Sequence, residues 1–328
     1  MNNTVFLADK NSKAWNFAKK IQTYVLETKE FLIPLHEVSI TKFRNGEVEM
    51  YIPENMRGKD VYFIQDSTKY PQDWWVELLL IKDLLLNSSA ESVTFVIPNM
   101  LYSRQDRKNR PHVPISARAL AKSISPGLKK IITLDLHAGQ IQGFYPENVP
   151  VDNLYSFPEV VRSLRRYHLE DLDNLVVVAP DAGAAGRTRY FLQRLEKAQQ
   201  DTLKKQNYSF AVFSKERAAP GEVASMQLIG DVNEKNCLIV DDIIDSGGTL
   251  CKAAQILKEN GAKKIMCYGT HGIFTKGISD LCDNYDFVMT SNTYPQENSL
   301  IEVIDVAPLF AEAIYRAQRG LSISKLFE

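Results

Sequence analysis

The stretch Asn236 to Ala253, NCLIVDDIIDSGGTLCKA, constrains this chain more than any other. Cys237, Leu238, Ile239 and Val240 form a short apolar run suited to a strand covered on both faces, and apolar residues from Leu250 to Leu257 fall at helical spacing. A polar loop joins them. Gly247 and Gly248 let the backbone pass close to a ligand, while Ser246 and Thr249 add hydroxyl donors where the next helix exposes its unpaired N–H groups. Such a loop suits a phosphate. Asp241, Asp242 and Asp245 would be repelled by that phosphate on contact, so they suit neighbouring sugar hydroxyls, or a metal held through water. The residues therefore point to a sugar phosphate. The competing reading is an ordinary strand-to-helix turn in which Asp and Ser act as caps.

A chain of 328 residues can bury a large core and favours two domains over one. The net charge of −1 provides no general basic surface for nucleic acid and no acidic tail, so partners have to be argued locally. No apolar run approaches the roughly 18 residues of a membrane span, and the start MNNTVFLADK lacks the basic and apolar regions of a signal peptide. A cytoplasmic location is the expectation. Cys237, Cys251, Cys267 and Cys282 show no CxxC pairing and read as buried free thiols.

Short apolar or alternating runs recur with helical patterns between them, the signature of an α/β sheet. The runs predict strands near 5–7, 36–43, 47–52, 60–65, 92–98 and 130–136, then 175–180, 209–214, 226–229, 237–241, 264–270 and 286–290. Each half has an apolar strand that breaks into a polar loop, so two similar α/β domains are expected, 1–150 and 151–328, the last helix packing back on the first.

Five further stretches carry candidate chemistry. HEVSITKFRNGEVEMYI holds two alternating runs around Asn45-Gly46, a strong hairpin signal, and its tip sets out Phe43, Asn45 and Glu47, a stacking face, an amide and a carboxylate suited to a purine base. SVTFVIPNMLYSRQDRKNRPHVPISARAL leaves a buried strand into a loop with Arg104, Arg107, Lys108 and Arg110, at the strand end where α/β sheets bind ligands. In KIITLDLHAGQIQGFY, strand alternation places Asp135 and His137 on one face. LVVVAPDAGAAGRTR is another buried strand, ending in Asp181 before a small-residue loop. Beyond it, LQRLEKAQQDTLKKQ reads as a helix extended on the surface. Lys215 and Arg217 follow the strand SFAVF and open a segment read as a mobile cationic loop.

VDDIIDSGGT, Val240 to Thr249, closely resembles the phosphoribosyl-pyrophosphate (PRPP) motif shared by type I phosphoribosyltransferases and ribose-phosphate pyrophosphokinases. LDLHAGQIQGF, almost letter for letter the pyrophosphokinase metal-binding signature, points to the second group. FRNGE, YSRQDRK, PISAR, PDAGAAGR and SKER resemble further family motifs in the same order, so the resemblance spans essentially the whole chain. It implies two type I phosphoribosyltransferase-like domains, each with a mainly parallel sheet flanked by helices. The activity implied is transfer of the β,γ-pyrophosphoryl group of magnesium–ATP to ribose 5-phosphate, yielding PRPP and AMP.

By the same resemblance Phe43, Asn45, Glu47, Arg104, Gln105 and His137 contact ATP, and His137 with Asp181 holds Mg2+. Asp241, Asp242, Asp245, Ser246, Gly247, Gly248 and Thr249 bind ribose 5-phosphate, and Lys215 and Arg217 are catalytic. A homo-oligomer built on dimers, commonly a hexamer, is implied, with no nucleic acid or membrane partner. The alternative within the family is a catalytically silent associated subunit. YPENVPVDNLY departs from the usual pattern by being two residues longer, and the family's Asp after the aromatic pair has no clear equivalent. Asn55 and His112 replace a Ser and an Arg of the family's phosphate-regulatory site, whereas Arg57, Ser322 and Ser324 are retained.

Overall fold

A computed structural model describes residues 3–199, 206–219 and 222–327. The chain divides into two compact units, residues 1–155 with 306–328, and residues 156–305.

In the first unit the elements run β1 (Thr4–Asp9), α1 (Lys13–Lys29), β2 (Leu35–Lys42), β3 (Val48–Tyr51), β4 (Asp60–Ile64), α2 (Pro71–Asn87), β5 (Ser92–Ile97), α3 (Ser116–Ile124), β6 (Lys130–Leu134) and β7 (Val151–Leu154). The second contains α4 (Phe157–Tyr167), β8 (Leu175–Ala179), α5 (Ala185–Ala198), β9 (Tyr208–Ala219), β10 (Glu222–Ile229), β11 (Asn236–Ile244), α6 (Gly248–Glu259), β12 (Lys264–Gly272), α7 (Ser279–Cys282), β13 (Phe287–Ser291) and β14 (Ile301–Ile304). α8 (Ala307–Gln318) then returns to the first unit.

The two sheets are built alike. Their orders are β3-β2-β1-β4-β5-β6-β7 and β10-β9-β8-β11-β12-β13-β14, one order shifted by seven strands. All neighbours are parallel except the edge hairpins β2–β3 and β9–β10. Parallel strands covered on both faces run almost continuously apolar, and β1 and β8 bury every residue, Thr4 and Asp9 at the two ends of β1 included. Two apolar clusters in each unit fill the space against the helices.

Helix α1 starts at Ser12, whose hydroxyl accepts from Ala14 N at 3.2 Å, and buries Ala14, Phe17, Ala18, Ile21 and Val25 along one stripe. Phe310 of α8 meets Phe17 edge to face, with ring centroids 5.4 Å apart. That contact places α8 in the same core as α1. Trp74 of α2 is fully buried, and Trp75 donates its indole N–H to Ser123 Oγ at 2.8 Å.

Three sequence expectations need correction, and a fourth falls partly outside the described residues. β7 and β14 were not anticipated: each is four residues long, mixes buried with half-exposed positions, and closes the far edge of its sheet. Such strands owe their existence to a paired neighbour rather than to their own pattern. The cationic segment is strand rather than loop through Ala219, because β9 continues there with Lys215 opposite Met226 and Arg217 opposite Val223 on β10. Helix α5 ends at Ala198, and residues 200–205 of the anticipated extension lie outside the described residues. Finally, β6 ends at Leu134 and Asp135 turns left-handed (φ 42°), so alternation no longer relates Asp135 to His137.

Candidate active site

A parallel α/β sheet opens a crevice at the carboxyl ends of the two central strands whose crossovers run in opposite directions. In the second unit those strands are β8 and β11. β8 leads through Pro180 into Asp181, and β11 carries Asp241 and Asp242 before the loop Asp245 to Gly247 and the start of α6. The sheet thus brings Asp181 and the whole 241–249 stretch to one crevice.

Gly247 forms the N-cap of α6 at φ 76°, a left-handed conformation that glycine adopts freely. It has no side chain with which to cap the helix, so the first-turn N–H groups face the loop mouth, where Ser246 and Gly248 are exposed. A Cβ on Gly247 would approach Leu281 Cδ1 to 2.9 Å, whereas one on Gly248 would meet only Ser246 Oγ, at 3.9 Å. The loop is anchored from the turn that follows β12: Thr275 donates its hydroxyl to Asp245 Oδ1 (2.8 Å) and its N–H to Asp245 O (2.9 Å).

The acidic pair is organised by a residue the sequence reading passed over. Arg187 Nη1 lies 2.7 Å from Asp242 Oδ1 and 3.7 Å from Asp241 Oδ1. Asp242 N donates to Asp241 Oδ1 at 2.9 Å. Loss of hydration pushes the Asp241 carboxyl well above the usual carboxylate range, the charge of Asp242 adds to this, and Arg187 opposes it. Asp181 Oδ1 accepts from Ala184 N at 3.1 Å and so caps the turn into α5. Arg187 stood in the string PDAGAAGR; the signal that would have found it is the need of two adjacent, largely buried acids for a cation. Thr275 gave no such signal, since only the β11–β12 pairing brings it to Asp245.

The first unit positions its candidates separately. β5 and β6 are adjacent and parallel, so the loops beyond their carboxyl ends run side by side, and Gln140 Nε2 ties to Asp106 Oδ2 at 2.6 Å. Arg104 and His137 are exposed on these two loops, and Gln105 is braced by a hydrogen bond from the Ser116 hydroxyl at the start of α3. Phe43, Asn45 and Glu47 form the exposed tip of the β2–β3 hairpin. Gly46 N donates to Phe43 O at 2.9 Å, and Asn45 Oδ1 accepts from Glu47 N at 3.2 Å, so the asparagine also steadies its own turn. Three strand spacings, about 14 Å, separate β2, which leads into this tip, from β5, which leads into the Arg104 loop.

The corresponding switch point of the first unit, between β1 and β4, is filled by its own side chains. Lys69 Nζ lies 2.9 Å from Asp9 Oδ2 and 2.8 Å from Glu77 Oε1, with Gln65 Nε2 3.3 Å from Glu77 Oε2. Burial raises the Glu77 carboxyl, and Lys69 opposes that shift. No paired glycines follow β4, where the chain reads QDSTKY.

Two copies of one α/β sheet, with an acidic, glycine-paired loop at one switch point, place the chain in the class of phosphoribosyltransferase-like proteins. Residues 8–126 match the model for the N-terminal domain of ribose phosphate pyrophosphokinase, and residues 199–328 match that for the phosphoribosyl synthetase-associated domain. A ribose-phosphate pyrophosphokinase of Cereibacter sphaeroides is 38% identical over 324 residues, covering 95% of this chain and 91% of the relative. Another, of Rhizobium meliloti, is 41% identical over 305 residues, covering 90% and 93%. The crystal structure of phosphoribosylpyrophosphate synthetase from Mycobacterium smegmatis superposes with a TM-score of 0.83 at 28% identity, over 97% of this chain and 99% of that one. The chain belongs to the ribose-phosphate pyrophosphokinase family.

Proposed function

We propose that the protein transfers the β,γ-pyrophosphoryl group of ATP to the anomeric hydroxyl of ribose 5-phosphate, giving PRPP and AMP for nucleotide biosynthesis. The carrying observation is the crevice at β8 and β11, where Asp241 and Asp242 as hydroxyl acceptors adjoin the open N-terminus of α6 as a phosphate site. Ribose 5-phosphate presents those two features. Ser246, Gly247, Gly248 and Thr249 hold the phosphate end, while Asp245, fixed by Thr275, belongs to the same ribose 5-phosphate loop on the sugar side. Attack by the anomeric oxygen on the β-phosphorus breaks the bridge to the α-phosphate, releases AMP and gives up the hydroxyl proton. Lys215 and Arg217 are assigned to the charge that develops on the transferred phosphates, since pyrophosphoryl transfer depends chiefly on positioning and charge neutralisation.

Arg104, Gln105 and His137 are assigned to ATP from the first unit. The distance from β2 to β5 supports a hairpin tip, with Phe43, Asn45 and Glu47, that serves the site of a second copy, and hence a homo-oligomer built on dimers. The donor chemistry fits Mg2+ that arrives on ATP. Among the described residues no cluster of three or more His, Cys, Asp or Glu forms a metal cage, and magnesium generally takes one or two carboxylates plus substrate phosphates. Asp181 supplies such a carboxylate, and His137 an exposed contact to the nucleotide. When bound, the ion offsets phosphate charge. No helix among the described residues is long and apolar enough to cross a membrane, and a cytoplasmic location fits nucleotide chemistry.

The match of residues 199–328 to a synthetase-associated domain keeps one second reading in play, a silent regulatory subunit. Product analysis of the purified protein with ribose 5-phosphate and magnesium–ATP separates the two. Equimolar AMP and PRPP support the enzyme, and absence of turnover selects the silent subunit.

A further inference from the structure

We infer that Arg187 is a positioning residue for ribose 5-phosphate: its guanidinium holds Asp242, and through it Asp241, in the orientation that meets the sugar hydroxyls. The inference rests on the ribose 5-phosphate site proposed above.

Consecutive residues in a strand point to opposite faces, so Asp241 and Asp242 would ordinarily diverge. One guanidinium nitrogen nevertheless lies within 2.7 Å of Asp242 and 3.7 Å of Asp241. The Asp241 carboxylate is in turn bent back to accept from Asp242 N, which fixes it over its own strand end. The Asp242 side chain is 6% exposed and that of Arg187 17%, so water does little to screen or replace their contact. Two adjacent carboxylates in such surroundings repel each other and lose hydration together. Without a cation, one takes up a proton or swings away, and a carboxyl in either state is a poorer acceptor for a sugar hydroxyl.

The helix fixes the cation. Arg187 lies in the first turn of α5, and Thr188 beside it donates its hydroxyl to Ala184 O at 3.0 Å within that turn. Asp181 caps the same turn through Ala184 N. The segment after β8 thereby delivers a carboxylate and a guanidinium to the crevice on one rigid element. A planar fork can reach two carboxylates at once, which a lysine ammonium reproduces only in part.

Steady-state kinetics on Arg187→Met, Arg187→Lys, Asp242→Asn and the double variant Arg187→Met/Asp242→Asn test the assignment, with thermal unfolding of each protein as the folding control. Loss of a charge-assisted hydrogen bond predicts an approximately 10- to 100-fold rise in the ribose 5-phosphate KM for Arg187→Met. The ATP KM and kcat at saturating sugar should stay within about threefold, as expected when binding of one substrate alone is lost. Arg187→Lys should recover part of the affinity. Because Arg187 acts through Asp242, the double variant should match Asp242→Asn rather than multiply the two losses.

An unchanged KM in Arg187→Met, beside a raised KM in Asp242→Asn, overturns the inference and leaves the sugar site standing. Multiplicative losses also overturn it, since they show Arg187 touching the ligand directly. An unchanged KM in Asp242→Asn overturns the sugar site itself. Should Arg187→Met fail to fold, Arg187→Lys decides, and a wild-type KM there refutes the role.

Discussion

Replacing Gly247 by alanine should cost stability, whereas replacing Gly248 by alanine should cost only binding. Gly247 sits at φ 76°, where a side chain is disfavoured by roughly 1–2 kcal/mol. Its new Cβ would also stand 2.9 and 3.0 Å from Leu281 Cδ1 and Cγ, so that leucine must shift within the α6–α7 packing, a strain of about 1 kcal/mol at the low end of overpacking costs. The reduced freedom of the unfolded chain returns roughly 0.4–1 kcal/mol, leaving a net loss of about 2 kcal/mol. For a unit the size of residues 156–305, that lowers Tm by about 4–8 °C. Gly248 is the first helical residue, and its Cβ would meet only Ser246 Oγ at 3.9 Å, so alanine there should leave Tm unchanged or slightly raised. Its methyl would instead stand at the exposed loop mouth and weaken ribose 5-phosphate binding. Scanning calorimetry of the ligand-free variants and isothermal titration with the sugar phosphate separate the two effects. A Gly247→Ala protein as stable as wild type would refute the strain argument, and a destabilised Gly248→Ala would refute the assignment of open space beside that residue.

Lys215→Ala is expected to lower kcat about 100-fold with much smaller changes in either KM, the usual cost of losing one donor to developing charge; near-normal turnover would remove Lys215 from the mechanism. Thr275→Val should weaken ribose 5-phosphate binding roughly 2- to 10-fold by releasing Asp245, and titration calorimetry showing unchanged affinity would refute that support. Asp241→Asn should stabilise the free protein at neutral pH while abolishing sugar binding. The Asp241 carboxyl is raised in the folded state, so its ionisation penalises folding as pH climbs from the unfolded value of about 3.9 through the folded value. The variant's advantage should therefore vanish in acid and grow with pH, and a pH-independent stability difference would contradict it. Titration calorimetry should finally give one ribose 5-phosphate per chain, because Lys69, Asp9 and Glu77 fill the first unit's switch point; two equivalent sites per chain would refute that contrast.

The buried strand at Cys237 to Val240, the paired glycines and the helical spacing after them were enough to locate a phosphate loop, because strand burial, turn geometry and helix spacing are local properties of the chain. The alternating runs around Asn45-Gly46 likewise gave the β2–β3 hairpin from short-range pattern alone. The near-complete run of family motifs identified the chemistry. What lay beyond the sequence were features created when distant segments meet. β7 and β14 become strands only by pairing with β6 and β13, since four residues of mixed polarity carry no decisive pattern. Two similar α/β domains were expected from the recurring strands and motifs, but that both sheets share one strand order became visible only in the pairing. Arg187 and Thr275 joined the site because the β8–β11–β12 pairing sets them against Asp242 and Asp245 from segments before and after the loop. Composition and spacing along the chain record which side chains are present and how a short stretch will coil; which charge offsets which is decided by distance across the sheet, and that distance exists only once the strands have paired.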